Sequence, residues 1–371
     1  MSMAKESQVA GNQGNVRMVP RLWSPAMLLV CGFCVSQVSA EDTFHSGLDA
    51  TSVKGAVACR KCHQSEYTAW SQSTHFRNHE RINSDAGKKY AKAYGGTDAC
   101  MTCHSTPHAA DAQFDGPVGV SCESCHTPAG GEGGWFDLHS NYGGEDVKRE
   151  AEDAGHRTDR LAACDDAGMI RAASTYAMAR NCYTCHIVAD EKLLAAGHKP
   201  GHSGFDLIPW IQGEVRHNFQ VDQKANADSP SLLLARDGID VDRRRQVMLV
   251  VGKIVELEVC LRNLAAIDSG SLKERYAGRR GWAGRAEDAY EFLAEEIAPA
   301  VSNANVSAAV DAVSGLKLGR KFKDQQAALK AADKLQLAAK LLVAEQQKVD
   351  LAGVDQLVND LGKPQGKSWQ P

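Results

Sequence analysis

The sequence predicts a mainly α fold in two unlike parts, a Cys- and His-rich part with short helices followed by a C-terminal helical bundle. Three observations predict it. The pentapeptide Cys-x-x-Cys-His occurs four times, at Cys59–His63, Cys100–His104, Cys122–His126 and Cys182–His186. All 13 histidines lie at or before His217, so the last 154 residues hold no imidazole. Those last residues instead show apolar side chains at helical spacing.

Each pentapeptide has the order of a c-type haem attachment site. Cys59 and Cys62, Cys100 and Cys103, Cys122 and Cys125, and Cys182 and Cys185 would add to the two vinyl groups of one porphyrin each. His63, His104, His126 and His186 would ligate the four irons. A zinc reading pairs Cys-x-x-Cys units into four-thiolate sites, but it does not explain the His that follows every second Cys. Four covalently bound haem c groups would then form much of the core of the first part, with few long helices and little sheet.

Residues 1–40 read as a signal peptide. Arg17 and Arg21 precede the apolar run Ala26–Val35, and Val38-Ser39-Ala40 offers a small-residue cleavage site before Glu41-Asp42. The apolar run is short of the roughly 20 residues that span a bilayer, so a periplasmic protein without a stable membrane span is expected after cleavage. Cleavage would remove three basic residues and one acidic residue, taking the net charge from -4 to -6. That sign excludes nucleic acid as a natural partner and suits basic redox proteins as donor and acceptor. Cys31 and Cys34 would leave with the signal. Cys164 and Cys260 are then left over, either as a disulfide, which an oxidising compartment permits, or as two thiols.

In chain order, residues 41–58 are a polar lead. A helix is expected to carry the first motif on through Tyr67, Trp70 and His75, and its length puts His75 about three turns from His63, so His75 should serve another haem. Polar, Gly-containing residues 80–99 lead to the second motif. Gly116–Ser121 makes a tight approach to the third, with glycines that allow backbone close to a ring. The run Gly130–Gly134 is a turn before Trp135-Phe136-Asp137-Leu138-His139. Residues 143–175 are charged and read as a surface excursion that folds back toward propionates. Beyond the fourth motif come Gly197-His198 and Arg216-His217-Asn218-Phe219. The first part would thus be a tetrahaem domain over 41–222, and 223–371 a helical domain. Its stripes are Val247, Val250, Val251, Ile254, Leu257, Leu261, Leu264 and then Tyr290, Leu293, Ile297, with an Ala- and Leu-rich helix over 324–349 and a frayed tail at Gly362-Lys363-Pro364. Arg243–Arg245 and Arg279-Arg280 read as a solvated face or a contact with the acidic haem part.

The second axial ligand decides what each iron can do: a strong one suits electron transfer, an open position admits a small molecule. Among the nine remaining histidines, His75, His139 and His198 rank first, because each follows a motif within an aromatic or Gly-rich segment. His217 is fourth, His79 and His108 are intermediate, and His45, His156 and His202 read as surface residues. Met101, Met169 and Met178 rank below all of them.

Together, the motif spacing, Tyr67-x-x-Trp70 with His75, Gly119-Val120-Ser121-Cys122-Glu123-Ser124-Cys125-His126, Trp135 ahead of His139, and Gly197-His198 resemble the cytochrome c-554 family over about residues 55–220. The resemblance implies a mostly α-helical tetrahaem fold with closely packed haem pairs. Three irons would be bis-histidine and the haem of the second motif five-coordinate. By position, His75 would complete the haem of the third motif, His139 that of the first and His198 that of the fourth. His217 and the long C-terminal extension depart from the pattern, and His217 is available for the vacant site or in place of His198. Three readings of function follow. The first is a tetrahaem electron carrier, favoured over an oxidoreductase with a substrate of its own. The others are a reductase of nitric oxide or a related nitrogen species at a five-coordinate haem, and an electron-transfer subunit of a periplasmic oxidoreductase complex.

Overall fold

Helices in the first part are short because capping residues and left-handed turns stop them after one to three turns. A computed structural model describes residues 48–114, 118–201, 205–215, 217, 239–267, 273, 281–318 and 322–367. The single helix expected from Cys59 to His75 is two: α1 (Ala56–Arg60) and α2 (Gln64–Gln72), broken where His63 leaves helical geometry at φ -113°, ψ 51°. Ser73 is extended and ends α2, so His75 lies in the turn beyond it. The polar stretch after residue 80 contains α3 (Asp85–Tyr94), which starts at Ser84, whose Oγ accepts from Gly87 N, and stops at Gly95 with φ 101°. Both ends follow ordinary capping chemistry.

The second motif occupies α4 (Asp98–His104), the third α5 (Cys122–His126), and the fourth the end of α8 (Thr175–His186). Between them lie α6 (Trp135–Ser140) and α7 (Ala154–Asp166), the latter capped by Asp153. Short helices α9 (Glu191–Ala195) and α10 (Leu207–Gln212) follow. The charged stretch 143–175 therefore holds a regular helix. Its Arg160 is buried against Glu152 through a bidentate pair, with His156 and Arg157 on the same carboxylate.

The C-terminal part is helical, as expected, and no strand occurs among the described residues. Its longest helix, α11 (Val241–Ala266), begins at Asp240, whose carboxylate accepts from Arg243 N at 2.7 Å. The expected stripe Val247, Val250, Val251, Ile254, Leu257, Leu261 and Leu264 is 0% exposed throughout. α11 packs on α8, on α12 (Trp282–Glu291) and on α14 (Gln325–Ala344), with α13 (Ala304–Val313) against α14. In the second stripe Leu293 and Ile297 are fully buried in a π-helical segment, Phe292–Ile297, that continues α12, and Tyr290 is half-buried against the same core. One apolar core joins Tyr176, Tyr183, Leu194, Phe205 and Ile208 of the first part to α11 and its neighbours. At roughly 1.5–3 kcal/mol per large buried side chain, that shared surface is a principal source of stability for the fourth motif.

Charged groups that enter this core are paired, as burial demands. Glu258, fully buried, accepts from Arg180 (2.9 Å), Arg262 (2.8 Å) and Tyr176 (3.1 Å). Arg244 is 1% exposed and donates to Ala172 O at 3.0 Å, so this member of the Arg243–Arg245 run contacts the first part; Arg279 and Arg280 lie outside the described residues. Cys164 and Cys260 are both buried and free, in separate apolar clusters, so the disulfide does not form.

The tail is docked where fraying was expected. Gln365 N donates to Pro209 O at 2.8 Å, and Lys367 N donates to the Glu214 carboxylate at 2.9 Å.

Candidate haem centres

Each motif histidine faces a second histidine ring. His63 and His139 have centroids 6.1 Å apart with planes within 17°; His104 and His198 are 6.4 Å apart, His126 and His217 6.0 Å, and His186 and His75 6.1 Å. Two imidazoles on opposite sides of one metal ion, each bonded at about 2 Å, have ring centroids roughly 6 Å apart. All four spacings match that figure.

His139 meets the first motif, as the family resemblance implies. The other pairings differ from the implied ones: His75 faces the fourth motif instead of the third, His198 the second instead of the fourth, and His217 the third. His104, expected to stand alone, therefore has His198 opposite it. The reason is local: backbone contacts on both sides of His75 hold its turn toward His186, and α9 with its following turn carries His198 toward α3 and α4. Tyr90 on α3 lies 5.3 Å from the His198 ring and donates to Gly197 O at 3.2 Å.

Hydrogen bonds set the tautomer of three rings. His126 Nδ1 lies 2.6 Å from Ile170 O, His217 Nδ1 2.7 Å from Val215 O, and His198 Nδ1 2.8 Å from Lys199 O. A carbonyl only accepts, so each Nδ1 carries the hydrogen and each Nε2 keeps its lone pair for a metal. Burial and the facing imidazole push His104 and His126 down to about 4, so both are neutral, ligand-competent rings near pH 7.

Six of the eight motif thiols lie near a thiol of another motif. A cleft lined by Cys59, His63, His75, Cys122, His126 and His217 unites the first and third motifs. Cys59 lies beside Cys122, Cys103 beside Cys185, and Cys125 near Cys182. In space the motifs thus run first, third, fourth, second. Among the described residues no three His, Cys, Asp or Glu side chains converge on one metal-sized site.

Supporting residues tie the centres together. Glu123, an intervening residue of the third motif, is fully buried and accepts from Lys54 N (3.0 Å), Gly55 N (2.8 Å) and Ala129 N (2.8 Å). It pins the start of α1 to α5. Phe205 stacks on His186 at 4.0 Å and 11°. Gly119 approaches the backbone of His75, not a ring: a Cβ there would lie 2.0 Å from His75 O. Gly119 N and Val120 N donate to Phe76 O and His75 O. Sequence reasoning missed Glu123 and Phe205. The only signal for Glu123 was a carboxylate inside a motif that otherwise lies against apolar surface.

Of the remaining histidines, His108 is exposed and bonded to Thr106 O, and His156 serves Glu152. His45 and His202 lie outside the described residues. No helix among the described residues is long and apolar enough to cross a membrane.

No curated protein and no solved structure matches the chain. Residues 58–127, which carry the first three motifs, match the family model described as cytochrome c554 and c-prime, so this segment is similar to the c-type cytochromes of that family.

Proposed function

We propose that the chain is an exported, periplasmic tetrahaem cytochrome that carries electrons between a donor and an acceptor protein and has no substrate of its own. The observation that carries this reading is the presence of a second histidine 6.0–6.4 Å from every motif histidine. When bound, haem c supplies a one-electron iron couple whose potential follows axial ligand, burial and neighbouring charge. Cys59 and Cys62, Cys100 and Cys103, Cys122 and Cys125, and Cys182 and Cys185 would attach the four groups. His63 with His139, His104 with His198, His126 with His217, and His186 with His75 would ligate the irons. Two imidazoles per iron leave no position for a small molecule, which favours the carrier over the reductase. The run of adjacent motifs supports passage of electrons through the whole chain.

The test is haem stoichiometry and low-temperature EPR of the oxidised holoprotein, repeated after nitric oxide is added to the reduced form. Four haems per chain, all low-spin and silent to nitric oxide, are expected. A high-spin ferric signal from one haem in four, with a nitrosyl species on reduction, would overturn the carrier reading.

A further inference from the structure

Glu214 is a buried carboxylate beside one of the proposed distal ligands, and the C-terminal tail holds it there. Its side chain is 2% exposed. Oε1 accepts from His75 N at 2.8 Å and lies within ion-pair distance, 3.4 Å, of His75 Nδ1, a buried nitrogen that has no hydrogen-bond partner among the described residues. Oε2 accepts from Lys367 N at 2.9 Å. A neutral acceptor could satisfy the backbone amides of His75 and Lys367, and burying a charge is costly. The adjacent Nδ1–H gives the charge a role: a carboxylate on the far nitrogen of a metal-bound imidazole fixes its tautomer and raises its basicity.

The tail is fitted closely to this spot. A Cβ on Gly213 would sit 1.9 Å from Gln365 O, and one on Gly366, whose φ is 112°, would sit 2.5 Å from Glu214. Gln365 N donates to Pro209 O. Segment 365–367 therefore closes over Glu214 through contacts that only glycine permits at two places.

We propose that Glu214 is a positioning residue that tunes the potential set by His75, and that the tail 362–367 is the latch keeping Glu214 and His75 in place. This rests on the reading of His75 as a distal ligand, so the experiment separates the two. In the holoprotein, E214Q removes the charge while keeping the shape. It should raise one of the four potentials so that its reduction equilibrium moves about tenfold, 59 mV for one electron, with the other three unchanged. G213A, and separately deletion from Gly362 onward, should make one ferrous haem bind carbon monoxide, which the parent protein does not. H75A should turn one haem in four high-spin.

If H75A does so while E214Q moves no potential and both tail variants stay silent to carbon monoxide, the latch is wrong and the ligand reading stands. If H75A leaves every haem low-spin, His75 is not a ligand and the latch falls with it. Should E214Q fail to fold, the carbon monoxide response of G213A, whose carboxylate is intact, decides the matter.

Discussion

Arg160 shows how a single buried pair connects stability to a proposed iron site. Its guanidinium grips Glu152 in bidentate fashion and donates to His139 O at 2.9 Å, so it holds the backbone of the ring facing His63. The Arg160 guanidinium, with His156 and Arg157, takes the Glu152 carboxyl down to about 2 from an ordinary 4.5. A depressed carboxylate stabilises the fold fully above its unfolded pKa and loses that contribution as pH falls through the folded one. Stability should therefore decline between about 4.5 and about 2, and acid unfolding of E152Q followed by Soret dichroism should show a flatter dependence in that window. R160M takes the bidentate partner from a buried carboxylate, leaving it only His156 and Arg157, and should cost about 3 kcal/mol, measured by urea unfolding. It should also disturb the low-spin signal of one haem. Glu123 works differently, since three backbone amides satisfy it. E123A strands those donors at roughly 1–3 kcal/mol each and should lower haem incorporation at the first and third motifs together, read by mass spectrometry of haem peptides.

At the scale of elements, α11 organises the C-terminal part because it is apolar around most of its circumference and its Glu258 and Glu256 meet Arg180 of α8 and Arg285 of α12. Leu257 is fully buried at its centre. L257A should cost about 2–5 kcal/mol, seen as a lower urea midpoint. Because α8 shares that core, the loss should appear in the haem absorbance transition as well as in the far-UV signal, and two separate transitions would contradict the shared packing. The stripe on α11 was legible since helical periodicity survives any tertiary arrangement. The break at Lys61–His63 was not, because the motif sequence reads as continuous helix while His63 takes φ -113°, ψ 51° and lies opposite the distant His139.

For the molecule as a whole, a negative net charge favours basic redox partners through long-range attraction, which salt screens over about 10 Å at 0.1 M. Electron exchange with a basic partner should therefore slow as ionic strength rises, and an acidic partner should show the opposite trend in stopped-flow absorbance.

The sequence by itself determined the mainly α class, the four Cys-x-x-Cys-His motifs, the pool of further histidines from which their facing rings come, and the buried stripe of the long helix. Covalent chemistry and periodicity act over a few residues, so spacing carries them. Only the tertiary structure decided which histidine meets which motif, that His104 has a partner, that Cys164 and Cys260 stay apart, that Glu214 lies beside His75, and that the tail closes over it. Those outcomes depend on backbone approaches between distant segments, such as Gly119 against His75 and Gly213 against Gln365, and distances across the fold leave no trace in local pattern.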